Sequence, residues 1–223
     1  MNRLRLIFLL SLISPIAFAQ QAFDGFNVQL GLGGSYANST VNTQAYERAQ
    51  DLWANNQYFA FNKTNITGTV AGGYSKSYGD FNGAINIFYN IAQKNYGTAL
   101  NSTGSITRQA NISNIFGISL EPGYYINQKL LAYAKVGVAW SNLQVSYPGN
   151  EGELSPENYG KSTGLLYGLG AKYALTNNWY AGAEIYQVNF QKKSYTEDDG
   201  NIWYNSTFKT TYNYAGLLLG YKF

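Results

Sequence analysis

Five charged residues sit where a charge is hardest to place. Glu121, Lys135, Lys172, Glu184 and Lys222 each lie in a stretch of alternating apolar and polar residues, always on the polar side. Carboxylates facing ammonium groups in a confined space can relay protons, hold an ion in transit, or neutralise one another as a structural plug. Glu121 and Lys135 lie seven residues either side of Gln128, and Lys172 and Glu184 six either side of Asn178. Turns centred there predict a Glu121–Lys135 pair and a Lys172–Glu184 pair, each directly across two neighbouring strands. A buried charge without a partner is costly, so the structural plug is the leading reading and an ion or proton path its alternative.

What the chain lacks narrows the chemistry further. It has no His and no Cys, which removes thiol catalysis and most zinc, haem and copper sites. Acid–base and triad mechanisms that depend on histidine go with them. A Ser–Lys or carboxylate mechanism is the remaining catalytic class, and no constellation for one stands out. The chain is therefore read as not an enzyme, with no catalytic residue, cofactor or metal site.

The elements that must position the charges are strands, because side chains alternate in polarity with period two. Phe26, Val28, Leu30, Leu32 and Tyr36 oppose Asn27, Gln29, Gly31, Gly33 and Ser35 in the first. Others follow at about 64–75, 81–91, 116–124, 132–140, 165–173, after 178, and from 212 to the end, eight in all. Short turns are expected at Tyr78-Gly79-Asp80, Asn127-Gln128-Lys129 and Thr176-Asn177-Asn178. Between them stand long polar connections, about Asn38–Lys63, Asn95–Gln109, Leu143–Ser162 and Gln191–Phe208. The first contains AYERAQDLWANN, which suits a short surface helix. Trp53, Tyr58, Phe59, Trp203 and Tyr204 are the loop aromatics available to anchor a contact.

All five strand charges share the glycine-rich face. A Lys facing lipid at mid-membrane costs about 2–4 kcal/mol, so if the chain spans a membrane this face is the lumen. Outward aromatics cluster near the strand ends: Tyr124, Tyr173, Trp179, Tyr221 and Phe223 by the turns, Tyr36, Tyr89 and Trp140 by the loops. Charged residues make up 12% of the chain against about a quarter in soluble domains. Beyond the first twenty residues no apolar run is long enough for a spanning helix. Arg3 and Arg5, the apolar run Leu6–Ile13 and Ala17-Phe18-Ala19 form a secretory leader, which predicts a cleaved signal peptide over 1–19 and a barrel domain over 20–223. Without Arg3 and Arg5 the 15 basic residues fall to 13, against 12 acidic, a balance that implies no nucleic-acid partner.

Two hairpins, LEPGYYINQKLLAYAKVGVAW and YGLGAKYALTNNWYAGAEIYQ, resemble the central hairpins of small bacterial outer-membrane β-barrels of the OmpA/Opa/OmpX type. The closing stretch YNYAGLLLGYKF resembles the last strand of such barrels. The resemblance implies an all-β, eight-stranded antiparallel up-and-down transmembrane barrel in the bacterial outer membrane. It also implies that Tyr221 and Phe223 act as an assembly signal. The implied partners are outer-membrane lipid, the barrel assembly machinery, periplasmic chaperones and a possible surface ligand held by the loops. The expected role is that of a non-catalytic surface barrel with four long external loops, serving envelope integrity or adhesion. The alternative is a narrow porin-like pore. Bulky inward residues (Phe88, Tyr133, Tyr186 and Tyr214) favour the first, since about eight strands enclose a space that side chains fill.

Overall fold

The computed structural model describes residues 22–48, 50–92, 97–100, 106–112, 114–148, 154–198 and 202–223; the expected signal peptide lies outside them. The strands are β1 Gly25–Glu47, β2 Leu52–Tyr78, β3 Phe81–Ala92, β4 Gly97–Leu100, β5 Ile106–Ile112, β6 Ile115–Asn127, β7 Leu130–Pro148, β8 Leu154–Ala174, β9 Trp179–Phe190, β10 Lys193–Asp198 and β11 Ile202–Lys222. Eight of them, β1–β2–β3–β6–β7–β8–β9–β11, form a closed antiparallel barrel, with β11 returning to pair along the whole of β1. Closure leaves no edge to satisfy in lipid. The three short strands extend the wall: β4 and β5 form a hairpin joined to β7, and β10 lies along β11.

At one end the connections are tight. Gly79, with φ +61°, takes the left-handed position of the β2–β3 turn. The Asn127 side chain accepts the amides of Lys129 and Leu130, a local Asx turn that joins β6 to β7. At the β8–β9 turn the Thr176 hydroxyl accepts the amides of Asn178 and Trp179.

At the other end the expectation of long loops is overturned. The connection expected over Asn38–Lys63 is mostly strand, with β1 running to Glu47 and β2 beginning at Leu52. The helix suited to AYERAQDLWANN does not form. Pairing decides this: β1 is bonded on one side to β2 and on the other to β11, up to Glu47 opposite Ile202. A backbone paired on both edges overrides a weak local helical preference. β7, β8 and β11 likewise run into stretches expected as loops. A spanning strand needs about 9–11 residues, so the 23 residues of β1 and 27 of β2 carry the wall well beyond the bilayer.

Polarity inverts along that extra length. In the short-turn half the outward residues are apolar and the inward ones polar: Leu32 is 66% exposed, whereas Asn27, Gln29 and Ser35 are buried. In the long-hairpin half Asn38, Thr40, Asn142, Lys161 and Lys209 occupy outward positions, and Val41, Phe208, Leu166, Val188, Phe190, Ile112 and Ile115 are buried inside. One continuous sheet is thus a membrane barrel below and an ordinary water-facing barrel above, because the medium outside the wall changes from lipid to water.

Candidate functional site

The centre of the lumen holds Glu121 of β6, Lys135 of β7, Lys172 of β8 and Glu184 of β9, all buried. They form one alternating chain. Lys172 Nζ lies 2.7 Å from Glu121 Oε2, Glu121 Oε1 lies 3.4 Å from Lys135 Nζ, and Lys135 Nζ lies 2.8 Å from Glu184 Oε2. Two acids and two lysines cancel, which lets four charges sit in a space closed to bulk water. The expected Glu121–Lys135 pair is one link of this chain. The expected Lys172–Glu184 pair does not form. Lys172 stands opposite Gly182 and Glu184 opposite Gly170, so the two are offset by two residues along their strands.

Glycines on β8 explain how Lys135 reaches past its neighbour to β9. Gly168 and Gly170 face inward between β7 and β9, and a Cβ on Gly170 would collide with the ring of Tyr133. In that gap Tyr133 Oη donates to Glu184 Oε2 at 3.0 Å. The aromatic rings complete the packing around the ammonium groups. Lys172 Nζ lies 4.5 Å from the Tyr133 ring centre, and Lys135 Nζ 5.1 Å from that of Tyr186 and 5.4 Å from that of Phe88. Tyr186 stacks on Tyr214 with centroids 4.8 Å apart. Asn90 donates to Tyr186 Oη and accepts from Thr69.

Two further layers close the barrel. Above the charges lie the buried apolar residues of the long-hairpin half, laced by the hydroxyl pairs Ser35–Thr67, Ser39–Thr210 and Thr43–Ser206 at 2.7–3.0 Å. Below them, Phe23, just ahead of β1, turns into the mouth and packs edge-on against Tyr180 with Tyr125, Leu131 and Leu218 around it. Asp24 holds this lid through Lys76 at 3.2 Å and a bond from Ser77. The sequence reading missed the lid: an aromatic before the first strand has no periodic partner to mark it.

Lys222 is also inward and buried, opposite Asn27, but it forms no ion pair among the described residues and stands apart from the central chain. Phe223 and Tyr221 occupy the opposite, lipid-facing side. Their ring centroids are 5.1 Å apart, and Trp179 lies 5.1 Å from Tyr221. The backbone amide of Phe223 donates to Phe26 O, so the last residue still belongs to the seam that closes the barrel. Of the loop aromatics, Trp53 packs on Tyr46 at 5.2 Å and Tyr58 is exposed. The side chains of Phe59, Trp203 and Tyr204 lie outside the described ones.

No curated protein sequence matches the chain. Solved structures do. OprG, an outer membrane protein of Pseudomonas aeruginosa, is similar with a TM-score of 0.56 at 9% identity, covering 90% of this chain and 98% of its own. The outer membrane protein AlkL matches with a TM-score of 0.50 at 15% identity over 90% of this chain and 92% of its own. The outer membrane protease OmpT of Escherichia coli matches with 0.48 at 11% identity over 90% and 97%. At identities this low, the likeness to OprG and AlkL speaks for the fold alone. The sequence model of the outer membrane protein beta-barrel domain matches residues 6–223. With the closed ring, the lipid-facing apolar band and that match together, the chain belongs to the outer membrane protein beta-barrel domain family and is a barrel of the bacterial outer membrane.

Proposed function

We propose that this barrel is a closed, non-catalytic surface protein whose working part is its tall external wall, serving adhesion or envelope integrity. The observation that carries the reading is the triple closure of the lumen: the Phe23 lid, the neutral Lys172–Glu121–Lys135–Glu184 chain, and the apolar layer of Val41, Phe208, Leu166 and Val188. A passive pore needs a continuous wet path, and an apolar layer packed across the axis opposes one. The extended strands instead offer a broad polar face of Asn, Thr and Lys side chains held rigidly above the membrane, a form suited to contact with other molecules. The absence of histidine and the pairing of all four central charges support a role without catalysis.

Single-channel recording of the refolded mature protein in planar bilayers tests this reading. Closed baselines, broken at most by brief low-conductance events, are expected. Stable openings of the size of a general porin would reject the surface role in favour of a pore.

A further inference from the structure

One charge inside the barrel is left over. The four central groups cancel one another, and Asp24 at the mouth is taken by Lys76 and Ser77. Lys222 is only 6% exposed, yet among the described residues its ammonium group makes neither an ion pair nor a hydrogen bond. A Cβ on Gly25 would lie 3.8 Å from Lys222 Cγ, so the backbone that leads to Asp24 and the Phe23 lid runs against the lysine stem.

The residue facing it holds a second free donor. Asn27 is the register partner of Lys222 across β1 and β11, points inward, and is likewise 6% exposed. Asn27 Oδ1 accepts from Gln29 Nε2 at 3.0 Å and from Tyr180 Oη at 3.2 Å. Both donors converge on the oxygen, which fixes the amide and leaves Nδ2 as its free end, without a partner among the described residues. A buried ammonium and a buried amide nitrogen therefore stand on neighbouring strands with nothing to accept from either. The unpaired charge is costly, and the unfilled donor adds to that cost.

One negative charge that brings its own acceptors satisfies both groups. We infer that Lys222 and Asn27 form a binding site for a carboxylate group that enters from the periplasm. Charge selects the ligand: Lys222 supplies one uncompensated positive charge, which a monovalent anion neutralises, whereas a dianion such as sulfate leaves excess negative charge buried. Shape selects it further, because donors on two neighbouring strands match the two oxygens of a carboxylate, and bonds from an ammonium to a carboxylate are of the strong, charge-assisted kind. Lys222 is the last residue of β11 and Asn27 the third of β1. The site thus lies at the short-turn rim, the periplasmic end of an outer-membrane barrel, beside Phe23 and Tyr180. It requires neither a conducting lumen nor an adhesive wall, so it stands or falls apart from the proposed function.

The test is NMR of the purified mature barrel refolded in detergent micelles, titrated with sodium formate and, at matched ionic strength, with sodium chloride or sodium sulfate. Formate is expected to shift the Asn27 side-chain amide and Lys222 ε-methylene signals saturably, with weaker responses to chloride and sulfate. Lys222→Met removes the charge and keeps the stem; it should weaken formate binding about tenfold or more, as for loss of a hydrogen bond to a charged group. Asn27→Asp keeps an oxygen for Gln29 and Tyr180 and places a carboxylate opposite Lys222. It should fill the site from within, abolish the formate response and raise the unfolding midpoint, so it remains informative even where Lys222→Met folds poorly. Heat-modifiable gel mobility verifies folding of both variants. A wild type without a saturable formate response would overturn the proposal, as would equal responses to formate and chloride, or formate binding by Asn27→Asp at the wild-type level.

Discussion

Lys172 Nζ stands 2.7 Å from Glu121 Oε2, two strands away across β7, and not beside Glu184 on the strand next to it. The turn between β8 and β9 sets this. Ala174 pairs with Tyr180, which centres the turn at residue 177 and carries Glu184 two positions past Lys172. A two-residue offset keeps both side chains inward, since the face repeats every second residue, but it changes the partner. Lys172→Leu should therefore leave Lys135 alone to balance Glu121 and Glu184, one buried negative charge uncompensated, and destabilise the barrel by roughly 3–5 kcal/mol in a dry lumen. A double-mutant cycle by urea unfolding in lipid is expected to show coupling for Lys172 with Glu121 and little for Lys172 with Glu184. Coupling only to Glu184 would refute this arrangement.

Glycines at two positions should respond in opposite ways. Gly170→Ala drives a methyl group into the Tyr133 ring and displaces its bond to Glu184, at a cost of about 1–3 kcal/mol for overpacking. Gly34→Ala, whose new Cβ has open space, is expected to change the unfolding midpoint little or raise it slightly. Equal destabilisation by the two would remove the packing argument for Gly170.

The inversion of polarity along β1 and β11 places the upper edge of the membrane within the wall. Leu217→Arg, outward in the apolar band and 70% exposed, should cost about 2–4 kcal/mol in lipid, and Asn38→Arg, outward beyond Tyr36, about 0–1 kcal/mol. Equilibrium unfolding from bilayers gives both values. Similar costs at the two positions would mean that the lipid boundary does not lie between them.

Phe223 tests assembly apart from stability. Its side chain is 70% exposed and contributes little packing beyond Tyr221. Phe223→Ala is expected to lower the heat-modifiable folded fraction in cells while leaving the unfolding midpoint of refolded protein within about 0.5 kcal/mol of wild type. An unchanged cellular yield would argue against Tyr221 and Phe223 as an assembly signal.

Period-two alternation was enough to assign the membrane-spanning half of all eight staves, because each strand there separates lipid from lumen and every residue declares its side. The same alternation placed Glu121, Lys135, Lys172, Glu184 and Lys222 inside, and the bulk of Phe88, Tyr133, Tyr186 and Tyr214 foretold a filled lumen. Stretches such as Asn38–Lys63 read as loops because their outward residues turn polar where the wall leaves the membrane. Only pairing with β2 and β11 shows that they remain strand. Charge partners also belong to tertiary structure: a turn displaced by one residue, and a glycine gap on β8 that lets Lys135 and Tyr133 cross to β9, selected the Glu184 contacts. The Phe23 lid arises from a segment that pairs with no strand, so its place in the mouth is decided by the ring of Tyr180 and the side chains beside it.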